Sequence, residues 1–116
     1  WENIRAALPF FVGTHDFVSF QGAKADVRTT VRTVTHFSEE DLGGGLHRFE
    51  ISGQGFLKQM VRTIMGTLVE VGEGRRDPGD IHKILLARNR RSAGRTAPAS
   101  GLCLNRVEYP SPYDNF

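Results

Sequence analysis

Hydrophobic and polar residues alternate along two neighbouring stretches of the chain, 31–38 and 46–52. Successive side chains of a β-strand point to opposite faces, so this alternation predicts two strands. The segment 39–45 between them contains three acidic residues and three glycines, which is typical of a turn. The two stretches therefore predict an antiparallel hairpin with a connection of about four to seven residues. The side chains predicted to share a face are Val31, Thr33, Thr35 and Phe37 in the first strand and His47, Phe49 and Ile51 in the second.

The longest hydrophobic pattern lies at 56–71 and has the period of an α-helix. Apolar residues recur at every fourth position in two parallel series, which together cover a wide arc of a helix surface. The pattern predicts a helix that is buried on more than one side and ended by Gly72 and Gly74. The two series are Phe56, Met60, Ile64 and Leu68, and Leu57, Val61, Met65 and Val69.

A second helix is predicted directly after the first, because its start signals are present in order. Asp77 is predicted to cap the helix, Pro78 to occupy the first helical position, and Asp80 lies three residues after the cap. The apolar stripe of this helix is predicted to consist of Ile81, Ile84 and Leu85.

The remaining segments complete a predicted α+β fold. Residues 1–8 are predicted to end a helix that Pro9 closes, and 89–101 form a basic loop containing glycine and proline. Residues 102–109 alternate again and predict a third strand. The order of elements predicts a small, mainly antiparallel sheet with helices packed on one face. A length of 116 residues fits a single domain, 1–116.

The composition is that of a folded domain, with 39% hydrophobic residues and eight phenylalanines. The sequence contains no apolar run of about 18 residues and no secretory signal pattern, so neither a membrane span nor export is predicted. The single cysteine, Cys103, excludes an internal disulfide and is interpreted as a buried thiol. His36, His47 and His82 lie on separate predicted elements, and no metal site is predicted.

Positive charge is concentrated in one third of the chain. The net charge is only +2, but residues 75–106 contain eight lysines and arginines and two acidic residues. Most of these cations are arginines, whose planar guanidinium groups suit two-pronged contacts with phosphate. The charge distribution leaves two interpretations open, an RNA- or phosphate-binding surface and an ordinary solvated basic face.

The polar residues Lys58, Arg62 and Gly66 are spaced four apart in the first predicted helix. They would lie in one row at the border of the apolar arc, which makes Arg62 half-buried. Two cations in such a row repel each other, so an anion near Arg62 is one interpretation. The other is an arginine that lies along the protein surface with its charged end in water. Gly66 would allow another group to approach the helix closely.

Three ordered segments resemble the TruA-type tRNA pseudouridine synthases. Residues 55–68, GFLKQMVRTIMGTL, resemble that family's F-L-x-x-M-V-R-x-x-x-G segment. Residues 11–20, FVGTHDFVSF, are similar to its F-x-G-x-H-D-F-x-x-F. Residues 93–102, AGRTAPASGL, resemble its A-G-x-T-A-P-x-x-G-L. The resemblance covers roughly residues 4–110 and places the chain in the C-terminal half of such an enzyme.

The resemblance implies a reaction and a role for Arg62. Members of the family isomerise uridine to pseudouridine in the tRNA anticodon stem-loop, without a metal or organic cofactor. The target base is flipped out of its stack and an aspartate attacks the nucleoside. A basic residue at the position of Arg62 pairs with that aspartate and would keep it ionised and oriented. The family also implies tRNA as partner, a homodimer and a cytoplasmic location.

The chain departs from the family at the nucleophile. The family's aspartate lies in G-R-T-D-A-G-x-H, whereas the only similar string here, residues 94–97, has Ala97 in place of the acid. The aspartate is therefore expected in an N-terminal domain outside this chain, and the chain alone is expected to be inactive. Asp16 is interpreted as a helix-start residue and not as a catalyst, and pairing with His15 as acid and base is disfavoured.

The resemblance also gives the basic residues a predicted role as contacts to the tRNA backbone. Two alternatives remain open, a free-standing non-catalytic RNA-binding α+β module and an unrelated α+β interaction domain with a basic face. The predicted RNA-binding residues are Arg28, Arg32, Lys58, Arg88, Arg90, Arg91 and Arg95.

Overall fold

The structure is a computed structural model that describes residues 1–22 and 29–97. Within these residues the predicted α+β class is confirmed, with an antiparallel sheet of three strands and three α-helices. The predicted strand 102–109, Cys103 and Arg28 lie outside the described residues. The elements in chain order are α1 Glu2–Ala7, β1 Gly13–Asp16, β2 Val31–Gly43, β3 Leu46–Gln54, α2 Met60–Gly72 and α3 Asp80–Ala87. Short 3-10 turns lie at Leu8–Phe11, Val18–Phe20 and Arg90–Ser92.

The predicted hairpin is confirmed as β2 and β3, but the prediction of which β2 side chains share the core face is wrong. Val34 pairs with Gly53 and His36 pairs with Ser52, so Thr35 is an extra residue in β2. Such a bulge shifts the alternation by one position. As a result Val34 and Phe37 are both buried.

The hairpin connection is shorter than predicted. The strands continue to Gly43 and resume at Leu46, so only Gly44 and Gly45 connect them. Their φ angles are +63° and +80°, which matches the two-residue turn whose backbone twist suits adjoining strands. Glycine adopts these angles without a steric penalty, and this explains the glycine run.

The edge strand β1 was not predicted. Gly13–Asp16 pairs antiparallel with β2, from Gly13 opposite Val34 to Asp16 opposite Val31. The strand is short and contains no large apolar residue, so it has no alternating hydrophobic pattern. The aromatic residues beside it build the core instead: Phe11, Phe17 and Phe20 are fully buried.

Helix α2 begins at Met60 and not at 56, as the hydrophobic pattern predicted. Gln59 adopts a left-handed backbone with φ +58°, which a right-handed helix cannot continue through. Phe56 and Leu57 are nevertheless buried in the same core, which explains why they fit the pattern. Lys58 lies before the helix, so the predicted helical row of Lys58 with Arg62 is wrong.

Helix α3 begins at Asp80, and its capping differs from the prediction. The Asp80 carboxylate accepts a hydrogen bond of 3.0 Å from the backbone N–H of Asp77, whereas Asp77 was predicted to cap. At the other end, the buried hydroxyl of Ser19 donates to the carbonyl of Ile84 and accepts from the N–H of Asn89, both at 2.8 Å. The predicted apolar stripe is confirmed, since Ile81, Ile84 and Leu85 are all buried.

The core joins the sheet to all three helices. Phe11 lies 5.4 Å from Phe20 and 5.7 Å from Phe37, measured between ring centroids, in edge-to-face geometry. Helix α2 adds Met60, Ile64 and Leu68 to this cluster. No helix in the described part of the chain has both the length and the apolar character that a membrane span requires.

Candidate active site

One face of α2 is covered by the segment 93–97, which contains the described part of the A-G-R-T-A-P motif. Arg62, Gly66 and Glu70 are spaced four apart, so they lie along one side of the helix. Each of the three contacts the backbone of the segment, which we call the clamp segment. The two most distinctive motifs of the sequence therefore meet in one place.

Arg62 and Ala97 exchange two hydrogen bonds. The Arg62 Nε–H donates to the carbonyl of Ala97 at 2.9 Å, and the N–H of Ala97 donates to the carbonyl of Arg62 at 2.9 Å. The side chain of Arg62 is half-buried, as predicted. Because Nε supplies one of five N–H donors, the two terminal nitrogens retain four. Within residues 1–22 and 29–97, no carboxylate forms an ion pair with Arg62.

Gly66 is the point of closest approach between α2 and the clamp segment. A methyl group added at Gly66 would overlap the carbonyl oxygen of Arg95. The prediction of a close approach at Gly66 is confirmed, and the approaching group is the chain's own backbone. Only glycine leaves room for it.

Glu70 continues the row and anchors the start of the clamp segment. Its carboxylate accepts from Arg76 Nε at 2.8 Å and from the N–H of Arg95 at 3.3 Å. The hydrogen bond from Arg76 lowers the pKa of Glu70 below its usual range and outweighs the opposing effect of burial. Glu70 is therefore a carboxylate at neutral pH. Glu70 was not predicted as a site residue, although the same four-residue spacing extends from Gly66 to it.

Two buried hydroxyl contacts reinforce the attachment. Thr67 Oγ1 donates to the carbonyl of Thr63 at 2.8 Å and accepts from the N–H of Gly94 at 2.9 Å. The hydroxyls of Thr63 and Thr96 lie 3.3 Å apart. Together with the hydrogen bonds at Arg95 and Ala97, these contacts fix the position of the clamp segment on the helix.

Arg90, a predicted RNA contact, is directed into the clamp segment. Its Nη1 donates to the carbonyl of Gly94 at 2.7 Å and its Nη2 to Thr96 Oγ1 at 3.2 Å. The 3-10 turn that carries Arg90 is capped by Asn89, whose side chain accepts from the N–H of Arg91 at 3.0 Å. Both terminal nitrogens of Arg90 thus have partners within the chain.

Arg88, another predicted RNA contact, pairs with Asp16. Its Nε lies 3.0 Å from Asp16 Oδ2, and the arginine side chain is 70% exposed. Asp16 also accepts from the N–H of Val18, which is the predicted role at a helical start, here a 3-10 turn. Burial raises the pKa of Asp16, but its hydrogen bonds and the charge of Arg88 together lower it below its usual value.

The other predicted RNA contacts are spread over the surface, and nothing in the geometry tests their contact with RNA. Lys58, Arg91 and Arg95 are exposed, while Arg32 Nη1 donates to the carbonyls of Thr29 and Val31. In the described part of the chain, no cluster of three or more histidine, cysteine or acidic residues could hold a metal ion.

A separate cluster on the hairpin was not foreseen. His47 Nδ1 lies 2.8 Å from Glu39 Oε2, and Arg5 Nε lies 3.2 Å from Glu39 Oε1. Trp1 stacks on His47 with ring centroids 3.4 Å apart. The hydrogen bond from Arg5 lowers the pKa of Glu39 below its usual value. These contacts attach Trp1 and α1 to the β2–β3 hairpin.

Comparison with known proteins gives one consistent result. A family model described as tRNA pseudouridine synthase matches residues 7–110. The tRNA pseudouridine synthase A of Bacillus licheniformis is 53% identical over 108 residues, which are 93% of this chain and 43% of that protein. The proteins of the same name from Acetivibrio thermocellus and Solidesulfovibrio magneticus are 46% and 47% identical, over 94% of this chain and 44% and 40% of their own lengths. The chain spans less than half the length of these relatives, and it belongs to the tRNA pseudouridine synthase family.

Proposed function

We propose that this chain is the part of a tRNA pseudouridine synthase that supplies Arg62 to the active site. The observation that carries the proposal is the attachment of Arg62 by its Nε to the Ala97 carbonyl. This contact fixes the side chain and leaves its two terminal nitrogens to bind an anion from outside the described residues. The proposed anion is the nucleophilic aspartate, located in an N-terminal domain beyond these 116 residues.

In this proposal Arg62 orients the aspartate and keeps it ionised. A guanidinium can hold a carboxylate through two parallel hydrogen bonds, which fixes both its position and its plane. An adjacent positive charge also favours the ionised form, and only that form can attack the nucleoside. The proposed substrate is a uridine of the tRNA anticodon stem-loop that has been flipped out of its stack.

The rest of the proposal consists of three properties that the family implies: the C-terminal placement, the homodimer and the cytoplasmic location. Their support is the family membership and the coverage of less than half of the relatives' length. A non-catalytic RNA-binding module is the alternative function. The immobilised Arg62 favours the enzyme, because a phosphate contact does not require an arginine attached to backbone at Nε.

The first prediction separates these two functions. The 116-residue chain alone is expected to form no pseudouridine on an unmodified tRNA transcript, because it lacks the proposed nucleophile. The full-length protein that contains it is expected to be active. Both are measured by tritium release from uridine-labelled tRNA, with circular dichroism to verify that the isolated chain is folded. Turnover by the isolated chain, or none by the full-length protein, would contradict the proposal.

The second prediction concerns the basic surface. Binding of tRNA by the full-length protein is expected to weaken steeply between about 50 and 200 mM salt, because each neutralised phosphate releases counterions. Replacing the exposed Arg91 and Arg95 together with alanine should reduce the slope of log K against log[salt] by about 2. Arg75→Ala combined with Lys83→Ala, which removes two exposed cations paired with Glu73 and Asp80, serves as the charge-matched comparison. A slope unchanged by the double substitution would exclude both residues from the interface.

A further inference from the structure

The clamp segment is attached to α2 at three points, the last of which is Ala97. Residues 93–97 are held by Thr67 at Gly94, by Glu70 at Arg95 and by Arg62 at Ala97. The carbonyl of Ala97 is the atom that fixes the Arg62 side chain. The direction of the Arg62 guanidinium is therefore set by the position of this carbonyl.

Arg90 contacts the clamp segment from the 3-10 turn that precedes it. Its two terminal nitrogens reach the carbonyl of Gly94 and the hydroxyl of Thr96, and this hydroxyl lies 3.3 Å from that of Thr63 on α2. The two contacts flank Arg95, whose carbonyl lies over Gly66. Arg90 therefore holds the segment against the helix at the residue next to Ala97.

We propose that Arg90 is a positioning residue, which acts on the reaction by fixing the Ala97 carbonyl and, through it, the Arg62 guanidinium. The expected effect of Arg90 on turnover rests on the proposed function, whereas its expected effect on the position of the Arg62 guanidinium does not. The positioning role is different from the RNA contact predicted for Arg90, and its basis is that Nη1 and Nη2 each donate to an acceptor within the chain. A displacement of about 1 Å at a reacting group can reduce a rate about 100-fold.

The test compares Arg90→Ala with Arg91→Ala in the full-length protein. The two substitutions remove the same charge from neighbouring positions, but Arg91 is exposed and its side chain has no contact with residues 93–97 among the described interactions. Arg90→Ala is expected to lower kcat by about 10- to 100-fold with a small change in KM. Arg91→Ala is expected to raise KM and leave kcat within about twofold. A change confined to KM for Arg90→Ala would overturn the proposal.

A second measurement observes Arg62 directly. The Arg62 Nε–H is hydrogen-bonded in the structure, so its NMR signal should exchange slowly with water, and Arg62→Lys identifies the signal by removing it. Exchange at Nε is expected to accelerate at least about tenfold in Arg90→Ala but not in Arg91→Ala. Unchanged exchange in Arg90→Ala would overturn the positioning role.

If Arg90→Ala does not fold, Thr96→Val tests the same proposal. This near-isosteric substitution keeps the charge of Arg90 and removes one of its two acceptors, together with the hydroxyl contact to Thr63. It is expected to change kcat and Nε exchange in the same direction by a smaller factor, and no change in exchange would count against the proposal. If the unsubstituted full-length protein forms no pseudouridine, the proposed function is contradicted. The positioning role of Arg90 is then still decided by the exchange rate at Arg62 Nε.

Discussion

In the full-length protein, Arg62→Ala is expected to lower turnover at saturating tRNA by about 100- to 1,000-fold and to leave tRNA affinity nearly unchanged. A half-buried carboxylate that loses its partner is destabilised by roughly 3–5 kcal/mol. At about 1.4 kcal/mol per tenfold change in rate, this corresponds to two to three orders of magnitude. Single-turnover rates and tRNA dissociation constants, measured on the same preparation, give the two values separately.

Two further variants identify the reason for the loss. Arg62→Lys should restore activity only in part, because a single ammonium cannot both contact the Ala97 carbonyl and hold a carboxylate through two bonds. Lys58→Ala removes an exposed cation from the turn before α2, and it is expected to weaken binding with little effect on saturated turnover. Normal saturated turnover in Arg62→Ala would refute the catalytic assignment and leave Arg62 as a structural residue.

Gly66→Ala is expected to destabilise the fold by about 1–3 kcal/mol, although alanine normally stabilises a helix interior by about 1 kcal/mol relative to glycine. The reason is steric, since the added methyl group would overlap the Arg95 carbonyl that lies against α2. The clamp segment has to move away from the helix, and the Arg62–Ala97 hydrogen bonds should break with it. Urea unfolding measures the change in stability, and turnover of the full-length variant measures the loss at Arg62.

Gly79→Ala is the matched control for this substitution. Gly79 precedes α3 with a right-handed backbone, φ −66° and ψ −16°, and a methyl group there meets open space. The same chemical change is therefore expected to be neutral or stabilising by less than about 1 kcal/mol. Equal urea midpoints for Gly66→Ala and the unsubstituted protein would show that the clamp segment does not lie against Gly66.

Much of the fold could be predicted from periodicity, and the errors have local causes. The hairpin follows from alternation, α2 from the four-residue repeat, and α3 from its start signals and apolar stripe. Which β2 side chains face the core could not be predicted. The bulge at Thr35 depends on the pairing with β3, and the sequence of β2 alone does not indicate it. The start of α2 was placed too early because Phe56 and Leu57 enter the same core from a turn.

The part of the candidate site that could be predicted is the part whose residues all lie on one helix, α2. Arg62 and Gly66 follow from their spacing on α2, and the half-buried position of Arg62 agrees with the structure. The contact of Glu70 joins it to Arg95, from which the sequence separates it by a turn and a second helix. The contacts of Arg90 are close in sequence, but its charge alone did not indicate that its guanidinium binds the Gly94 carbonyl.

The buried hydroxyl of Ser19 has a consequence for how tRNA could reach Arg62. It binds the N–H of Asn89, where the basic loop begins, and the same loop is bonded to Arg62 at Ala97. A segment fastened to the core at both of these points has little freedom to swing, and opening it would expose buried polar groups. The segment beside Arg62 is therefore expected to act as a rigid template and not as a lid. Under the proposed function, adaptation would then fall to the nucleic acid, which has to bring its base to a guanidinium whose place is already set.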